Sequence, residues 1–435
     1  MYASLSLVFI VRYQELPNKE LWTLHFAPFT TIFIFWLIIF YISDLYSLHA
    51  AVNNSRFGKM IARSFAAASL ISVLFFYLSP TTEITPKVNL VIFIGIFALL
   101  FVFWRRFYNW ALASYLPKNT IAIIGRNRLV EELLTELKNK PHLGFSISFI
   151  MDEKATEQEI SGTPIFSNLR ELPALIEKRK VSNVMLASTP DSEILRGLLF
   201  ECLPLKISFI SLISFYETIT GKVPIEAISK MWFLENLNEG NKSGFDSVKR
   251  VTDLLLALFI LLITLPFWPI IALLIKIESR GPVFFKQIRT GENGQDFEII
   301  KFRTMKTENN NQAPVTTGDT RITKLGSFLR KTRLDEVPQV LNIVLGEMSF
   351  VGPRPERPEL IAELEKKVPF YRERMLVKPG VTGVDQVSGE YHSPSYEDTM
   401  KKLQYDLFYV KNRSLYLDVT ILLKTIRTVL SRGGK

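Results

Sequence analysis

The sequence RKTRLDEVPQVLNIVLGEMSFVGPRP, residues Arg330–Pro355, is the stretch around which the fold prediction is built. It sets two adjacent carboxylates, Asp335 and Glu336, behind three basic residues and ends in a stiff Pro353-Arg354-Pro355 turn. Adjacent acids in a basic surround suit an anionic substrate bound with a divalent metal, because the cations neutralise phosphate charge while a carboxylate attacks or coordinates. An amphipathic helix with a solvated charged pair is the alternative, since apolar residues recur at helical spacing. These are Leu334, Val337, Leu341, Val344 and Leu345.

Composition narrows the classes of function. The chain has 435 residues, 48% of them hydrophobic, and a net charge of +10. A basic, apolar chain is typical of proteins that meet anionic lipid or phosphorylated substrates, so no nucleic-acid partner is expected. The single cysteine, Cys202, excludes an internal disulfide and a cysteine-based metal cluster. The four histidines are scattered without zinc-site spacing.

The first 110 residues are predicted to form a transmembrane helical region. Three apolar runs, His25–Ile42, Ile61–Leu78 and Val88–Phe107, each approach the length of about 20 residues that a membrane span needs. A fourth, Ala3–Val11, is short and is either a shortened first span or half of a buried pair.

Basic residues predict the orientation of these spans. Arg56, Lys59 and Arg63 lie in or beside the 44–60 loop, whereas the Ser79–Lys87 loop holds Lys87 alone. The positive-inside rule therefore places the 44–60 loop, and everything after Phe107, in the cytoplasm.

Residues 119–225 are predicted to form a degenerate Rossmann-like α/β domain. Strand-like runs alternate with helical patterns, which indicates a parallel sheet. The strands are Thr120–Gly125, Phe145–Met151 and Val181–Ala187, and the helices are Leu129–Lys140 and Leu169–Lys180. Arg126, Asn127 and Arg128 follow Gly125, so the glycines of a dinucleotide fingerprint are missing. A structural or regulatory module is favoured over nicotinamide binding.

A connector, residues 226–246, precedes a long apolar run, Val251–Ile277. Pro266 interrupts the run, because an interior proline removes a backbone hydrogen bond and kinks the helix. A kinked spanning helix and a re-entrant hairpin are both compatible with this break. Cations flank both ends, with Lys249 and Arg250 before the run and Arg280 after it. They favour a re-entrant membrane helix over residues 248–278, with Lys249 and Arg250 as interface cations.

Residues 247–435 are predicted to form an α+β domain that carries the acidic pair. Pro282–Met305 reads as a β-hairpin that turns at Gly291–Gly294. Lys301 and Arg303 alternate with apolar residues near its end, so an extended chain points both cations to one face. Such a face is either ordinarily solvated or a phosphate clamp beside the acids. The helical pattern at Thr323–Arg330 is expected to deliver Asp335 and Glu336.

Several motifs occur in one order: Lys249-Arg250 with Asp253, KFRTM (301–305), RLDEVPQ (333–339), GEMSFVGPRP (346–355), KPGVTG (378–383) and YDLFYVKNRSLYLD (405–418). Together they resemble the bacterial sugar transferase family, the monotopic polyprenyl-phosphate hexose-1-phosphate transferases. The resemblance covers Lys249 to the C-terminus. The N-terminal spans and α/β domain resemble the large members of that family.

The resemblance implies a two-step phosphoryl transfer at the bacterial inner membrane, with the catalytic domain on its cytoplasmic face. Asp335 would attack a UDP-sugar, release UMP and carry the sugar phosphate to undecaprenyl phosphate, the first membrane step of exopolysaccharide, O-antigen or capsule synthesis. Glu336, with Asp335, would hold Mg²⁺. The candidate phosphate-binding residues are Lys301, Arg303, Arg330 and Arg354. A homodimer is also compatible with this organisation.

The sequence departs from the family pattern in its short first span, Ala3–Val11, and at two further places. Leu265-Pro266 stands where relatives have Ser-Pro, which keeps the break but loses a serine hydroxyl. Asp385 and Glu390 replace a tryptophan and an arginine after KPGVTG. This last departure motivates an alternative, a catalytically inactive membrane scaffold.

Overall fold

A computed structural model describes residues 1–14, 18–43, 45–46, 55–78, 86–115, 119–139, 143–187, 192–237, 242–306, 319–390 and 395–430. The chain divides into two compact units between Leu212 and Ile213. The predicted 44–60 and Ser79–Lys87 loops lie largely outside the described residues.

The first unit begins with four helices: α1 (Tyr2–Tyr13), α2 (Lys19–Ile42), α3 (Ser55–Leu78) and α4 (Pro86–Tyr115). They share one aromatic core, in which Phe9, Phe29, Trp36, Phe65 and Phe93 are buried. The Trp36 indole donates to Ser72 Oγ at 2.7 Å, which satisfies a polar atom that hydrocarbon cannot. Three of these helices, α2 to α4, are long and apolar enough to cross a membrane, whereas α1 has 12 residues.

The rest of the first unit is a six-stranded sheet with helices. Its elements are β1 (Asn119–Ile124), α5 (Arg128–Asn139), β2 (Phe145–Met151), β3 (Glu159–Ile160), β4 (Thr163–Phe166), α6 (Leu172–Lys178), β5 (Asn183–Leu186), α7 (Glu193–Glu201) and β6 (Ser208–Ser211). The order is β3-β4-β2-β1-β5-β6. All pairs are parallel except β3 with β4, so the predicted parallel α/β sheet is present. Cys202 is buried in its core as a free thiol.

The second unit begins at Ile213, within α8 (Leu212–Thr220), and continues with α9 (Lys230–Asn236) and a long broken helix. Its halves are α10 (Ser243–Thr264) and α11 (Trp268–Glu278), separated by a 3-10 turn at Leu265–Phe267 that contains Pro266. Together they are apolar and long enough to cross a membrane. Ala257 of α10 belongs to the core that contains Ile343, and Trp268 of α11 packs on Phe302.

The body of the second unit follows. Strands β7 (Phe284–Thr290) and β8 (Asp296–Phe302) form the predicted antiparallel hairpin. After them come α12 (Lys324–Thr332), a 3-10 helix (Leu334–Gln339), α13 (Val340–Leu345), β9 (Ser349–Val351), α14 (Pro358–Lys367), a 3-10 helix (Arg372–Leu376), β10 (Gly380–Thr382), α15 (Val384–Val387), α16 (Tyr396–Asn412) and α17 (Leu415–Leu430). Strands β9 and β10 pair in parallel, so the GEMSFVGPRP and KPGVTG motifs lie side by side.

Candidate active site

The acidic pair lies in a break between two helices. Helix α12 ends because Arg333 adopts a left-handed conformation with φ of 58°. Asp335 and Glu336 then fall in the 3-10 helix Leu334–Gln339, which contains Pro338. An α-helix running unbroken through the pair, as the apolar spacing alone suggests, is therefore wrong. Pro338 lacks the N–H that such a helix needs and clashes with the preceding turn.

Glu336 is held by two cations. Its Oε1 accepts from Lys301 Nζ at 2.8 Å and from Arg354 Nη2 at 2.7 Å. Burial alone raises the pKa of a carboxyl group, but the charges of Arg354 and Lys301 outweigh it and hold the pKa of Glu336 well below its usual value. Glu336 is therefore ionised throughout the physiological range.

Asp335 differs from Glu336 both in its hydrogen bonding and in the direction of its pKa shift. It is 9% exposed, and its Oδ1 accepts no hydrogen bond from any residue that the structure describes. Burial and the adjacent Glu336 charge raise the pKa of Asp335, although Lys301, Arg330 and Arg333 oppose the shift. A buried oxygen without a partner is poorly solvated, which favours its reaction with an electrophile.

Burial also lowers the pKa of Lys301, with Arg354 adding to the effect and Glu336 opposing it.

The other two predicted phosphate-binding cations donate hydrogen bonds to groups other than the two acids. Arg330 donates from Nε to Thr304 Oγ1 at 3.0 Å, and its charge reaches Asp335 electrostatically. Arg303 is buried and donates to the carbonyls of Arg280 and Ser279 at 2.8 and 2.7 Å. Strand β8 ends at Phe302, so the alternation that was expected to align Lys301 with Arg303 stops before Arg303.

The predicted interface cations are also engaged inside the unit. Lys249 pairs with Asp418, and Arg250 donates to the carbonyls of Ile343 and Val344 at the end of α13. Arg250 therefore caps the helix that follows the acidic pair.

Arg354 is fixed in place by residues that sequence reasoning did not assign. Arg374 donates from Nη2 to the Arg354 carbonyl at 2.9 Å and from Nε to Asp406 Oδ2 at 2.8 Å. The Arg374–Asp406 pair is buried. Asp406 stands in the YDLFYV motif, and the sequence alone assigns it no role. Its partner Arg374 lies 32 residues away in the chain, so no local pattern predicts the contact.

Close backbone contacts brace the same turn. A side-chain carbon added at Gly352 would lie 2.3 Å from the Lys378 carbonyl, and one at Gly380 would lie 2.1 Å from the Gly352 nitrogen. Only glycine fits at these two positions. Gly380 donates to the Pro353 carbonyl at 2.9 Å, so this contact holds the turn that presents Arg354.

The donor set fits a divalent cation. Mg²⁺ is bound in proteins through one or two carboxylates together with substrate phosphates. Asp335 offers its unpartnered Oδ1, and both ion pairs of Glu336 use Oε1, so Oε2 takes part in neither.

A buried, ionised carboxylate between two cations, next to a second carboxylate with an unpartnered oxygen, is an arrangement of charges that suits the binding of phosphate groups. The family model described as bacterial sugar transferase matches residues 245–432. A second model, described as CoA-binding domain, matches residues 41–211.

Curated relatives agree with the first match. The chain is 40% identical over 220 residues to a UDP-N-acetylgalactosamine-undecaprenyl-phosphate N-acetylgalactosaminephosphotransferase of Aeromonas hydrophila, covering 50% of this chain and 51% of the relative. It is 30% identical to a UDP-glucose:undecaprenyl-phosphate glucose-1-phosphate transferase of Xanthomonas campestris pv. campestris, covering 75% and 70%. It is 31% identical to the Escherichia coli (strain K12) protein of the same description, covering 73% and 69%. The chain therefore belongs to the bacterial sugar transferase family.

Proposed function

We propose that this protein transfers a sugar 1-phosphate from a UDP-hexose to undecaprenyl phosphate and releases UMP, as the first membrane step of exopolysaccharide, O-antigen or capsule synthesis. One observation carries the proposal. Glu336 is locked as an anion by Lys301 and Arg354, while the adjacent Asp335 keeps a buried oxygen without a partner among the described residues. The relatives described above are named for glucose and N-acetylgalactosamine, so the proposal covers UDP-sugars as a class.

In the first step, an oxygen of ionised Asp335 attacks the β-phosphorus of the UDP-sugar. The bond from that phosphorus to the bridging oxygen breaks, UMP leaves with the bond's electron pair, and a sugar-phosphoryl aspartate remains. A carboxylate is a competent nucleophile for this transfer. Lys301 and Arg354 bind the phosphate oxygens, where charge neutralisation and alignment supply most of the catalysis.

In the second step, a phosphate oxygen of undecaprenyl phosphate attacks the same phosphorus. The bond to Asp335 breaks, the carboxylate is regenerated, and a polyprenyl diphosphate sugar is released. Neither step needs a general base, because both nucleophiles are already anions. Mg²⁺, held by Glu336 and Asp335, supplies further neutralisation of the phosphates when bound.

The broken helix supports access to a lipid substrate. Leu255, Phe259 and Leu262 of α10 and Ile270 and Leu273 of α11 are more than half exposed, as lipid-facing residues are. Both ends of the helix return to the same body, through Arg250 at one end and through Ser279 and Arg303 at the other. We infer a re-entrant hairpin that enters and leaves the inner membrane from the cytoplasmic face, where the lipid phosphate lies. External labelling of a cysteine placed at Ser279 would refute it.

The test of the reaction is Asp335→Asn in the full chain, assayed for UMP release with undecaprenyl phosphate and for a covalent adduct by intact mass. We expect turnover to fall by at least about 10³–10⁴-fold, because the nucleophile is removed, and the adduct to vanish. The matched control, Glu365→Gln, changes an exposed acid of α14 and should behave as wild type. Normal turnover in Asp335→Asn would sink the mechanism.

The alternative is an inactive membrane scaffold, favoured by the departures at Asp385 and Glu390. Glu390 accepts from Lys222 at 2.8 Å and from Tyr405 at 3.0 Å, so it is tied into the unit. Wild-type protein that releases no UMP from any member of a UDP-sugar panel would establish the scaffold. Release from one member would exclude it.

A further inference from the structure

The second unit contains a cavity of about 140 Å³ apart from the acidic pair. Helix α10, the segment Leu376–Lys378 and the end of α16 contribute to its walls, whereas Asp335, Glu336, Lys301 and Arg354 do not. Ligand pockets for drug-sized or nucleotide-sized molecules are about 300–1,000 Å³. The cavity is therefore too small for a UDP-sugar.

Most charged groups of this cavity neutralise one another. Arg413 pairs with Asp246 at 3.1 Å, and Lys249 lies between Asp418 and Asp253. The Asp253 carboxylate also accepts from the Phe350 backbone N–H. These contacts explain four lining residues as structural.

Two cations of the cavity have no carboxylate partner among the described residues. Arg250 donates hydrogen bonds to the carbonyls of Ile343 and Val344. Lys378 Nζ makes no hydrogen bond or ion pair with any residue in the described part of the chain. Both side chains are partly buried. A cation that is partly withdrawn from water without a carboxylate partner favours the binding of an anion that reaches it.

Both cations border one small space, beside Gly346. A side-chain carbon added at Gly346 would lie 3.4 Å from Arg250 Nη2 and 3.8 Å from Lys378 Nζ. The guanidinium of Arg250 and the ammonium of Lys378 therefore lie close to the same glycine. An anion with several oxygens can direct one oxygen to the guanidinium and another to the ammonium.

The place of this space on α10 indicates the source of the anion. Arg250 is followed at once by Val251 and, one turn on, by Leu255, which are 57% and 63% exposed. The cavity therefore lies where the apolar helix leaves the polar body, at the depth of lipid headgroups. Glu292 also lines the cavity, which limits the negative charge that it accepts.

We propose that Arg250 and Lys378 form a binding site for a single phosphate group, supplied by a lipid headgroup or by free phosphate. Occupancy of this site is measured as binding, so its test does not depend on the transfer reaction. Lys378 is the residue to change, since its removal breaks no contact within the described residues. Arg250 caps α13, so its loss also disturbs the fold.

The experiment uses native mass spectrometry of the full chain in uncharged detergent, titrated separately with phosphatidylglycerol, undecaprenyl phosphate, inorganic phosphate and phosphate-free diacylglycerol. Lys378→Met is compared with wild type, with Lys378→Arg, which keeps the charge, and with Lys366→Met, an exposed lysine of α14. Loss of a charge-assisted contact should weaken one binding event by roughly tenfold or more.

The expected result is one bound phosphate compound that Lys378→Met loses and that Lys378→Arg and Lys366→Met retain. Binding of phosphatidylglycerol or undecaprenyl phosphate identifies a lipid source, and binding of inorganic phosphate alone identifies a free one. Equal binding by Lys378→Met and wild type, or equal binding of diacylglycerol, would overturn the proposal. Measured alongside, UMP release by wild type separates a failure here from a failure of the proposed reaction.

Discussion

Two turns of this molecule, one after β1 and one after α12, place charged side chains beside the start of a helix. They differ in how those charges are paired and buried. In the first unit, Arg126 follows β1 and pairs with Glu131 at 2.9 Å and Glu157 at 3.1 Å, all three partly in solvent. In the second unit, Glu336 pairs with Lys301 and Arg354 in a buried setting. The neighbouring Asp335 keeps an oxygen without a partner among the described residues.

We call the turn at Arg126 satisfied, because its charges are paired with one another. We call the turn at Asp335 reactive, because one carboxylate oxygen has no partner among the described residues. At Arg126 the charge is neutralised by Glu131 of α5 and by Glu157, and Asn127 caps Val130 at 3.0 Å, so little is left to bind a ligand. At Asp335 burial and the surrounding charges push the pKa values of the two adjacent carboxyl groups apart, which is how an active site divides roles between like groups. The predictions below test each side of this contrast.

The largest effect is expected from the buried pair behind the reactive turn. Asp406→Asn leaves the Arg374 charge buried and unpaired, which costs about 3–5 kcal/mol. The apparent Tm in detergent should fall clearly, whereas Glu397→Gln, an exposed change on the same helix α16, should leave it unchanged.

A double variant, Arg374→Met with Asp406→Leu, tests whether the buried, unpaired charge of Arg374 is the cause of the lost stability. It removes both charges, so most of the stability should return. Turnover should stay low, because Arg374 no longer holds the Arg354 carbonyl. Equal Tm values for Asp406→Asn and wild type would show that the reactive turn does not depend on this pair.

The next largest effect is expected from removing the charge of Glu336, which tests the different roles proposed for the two carboxylates. Glu336→Gln should lower turnover about 10²–10³-fold, the cost of removing one preorganised charge contact, and should raise the Mg²⁺ concentration needed for half-maximal rate. The Glu336 charge raises the pKa of Asp335, so removing it lowers that pKa. Asp335 must be ionised to attack, and the acid limb of the pH–rate profile should therefore move to lower pH.

An acid limb that stays in place, with an unchanged Mg²⁺ titration, would contradict both assignments. The Glu365→Gln variant serves as control, since it removes an acid elsewhere in the same unit.

Sequence reasoning predicted elements whose signal is local. The apolar spans, the strands β1, β2 and β5, the β7–β8 hairpin and the break at Pro266 each follow from periodicity or turn chemistry within a short window. The acidic pair and Arg354 were also identified, because the charged cluster and the proline-flanked turn are visible in one stretch. The structure brings them together with Lys301.

What sequence reasoning missed depends on partners far apart in the chain. The guanidinium of Arg303 donates to the carbonyls of Arg280 and Ser279, which lie 23 and 24 residues earlier in the chain. The bond from Arg374 to Asp406 links a 3-10 helix to α16, and neither residue has a local signature. Helix α12 ends at Arg333, which adopts a left-handed conformation. Neither glycine nor asparagine stands at this position, so the sequence does not predict the helix end there.

The smallest effect is expected at the satisfied turn. Arg126→Met removes two exposed ion pairs, which contribute little in water because solvent screens them and the long side chains lose freedom. We expect no measurable change in Tm or in UMP release, measured beside Arg354→Met, which removes one of the two cations of Glu336 and should impair turnover. If Arg126→Met slowed turnover while leaving Tm intact, the turn after β1 would take part in function. The contrast between a satisfied and a reactive turn would then fail, because charges that are already paired with one another would still be needed for the reaction.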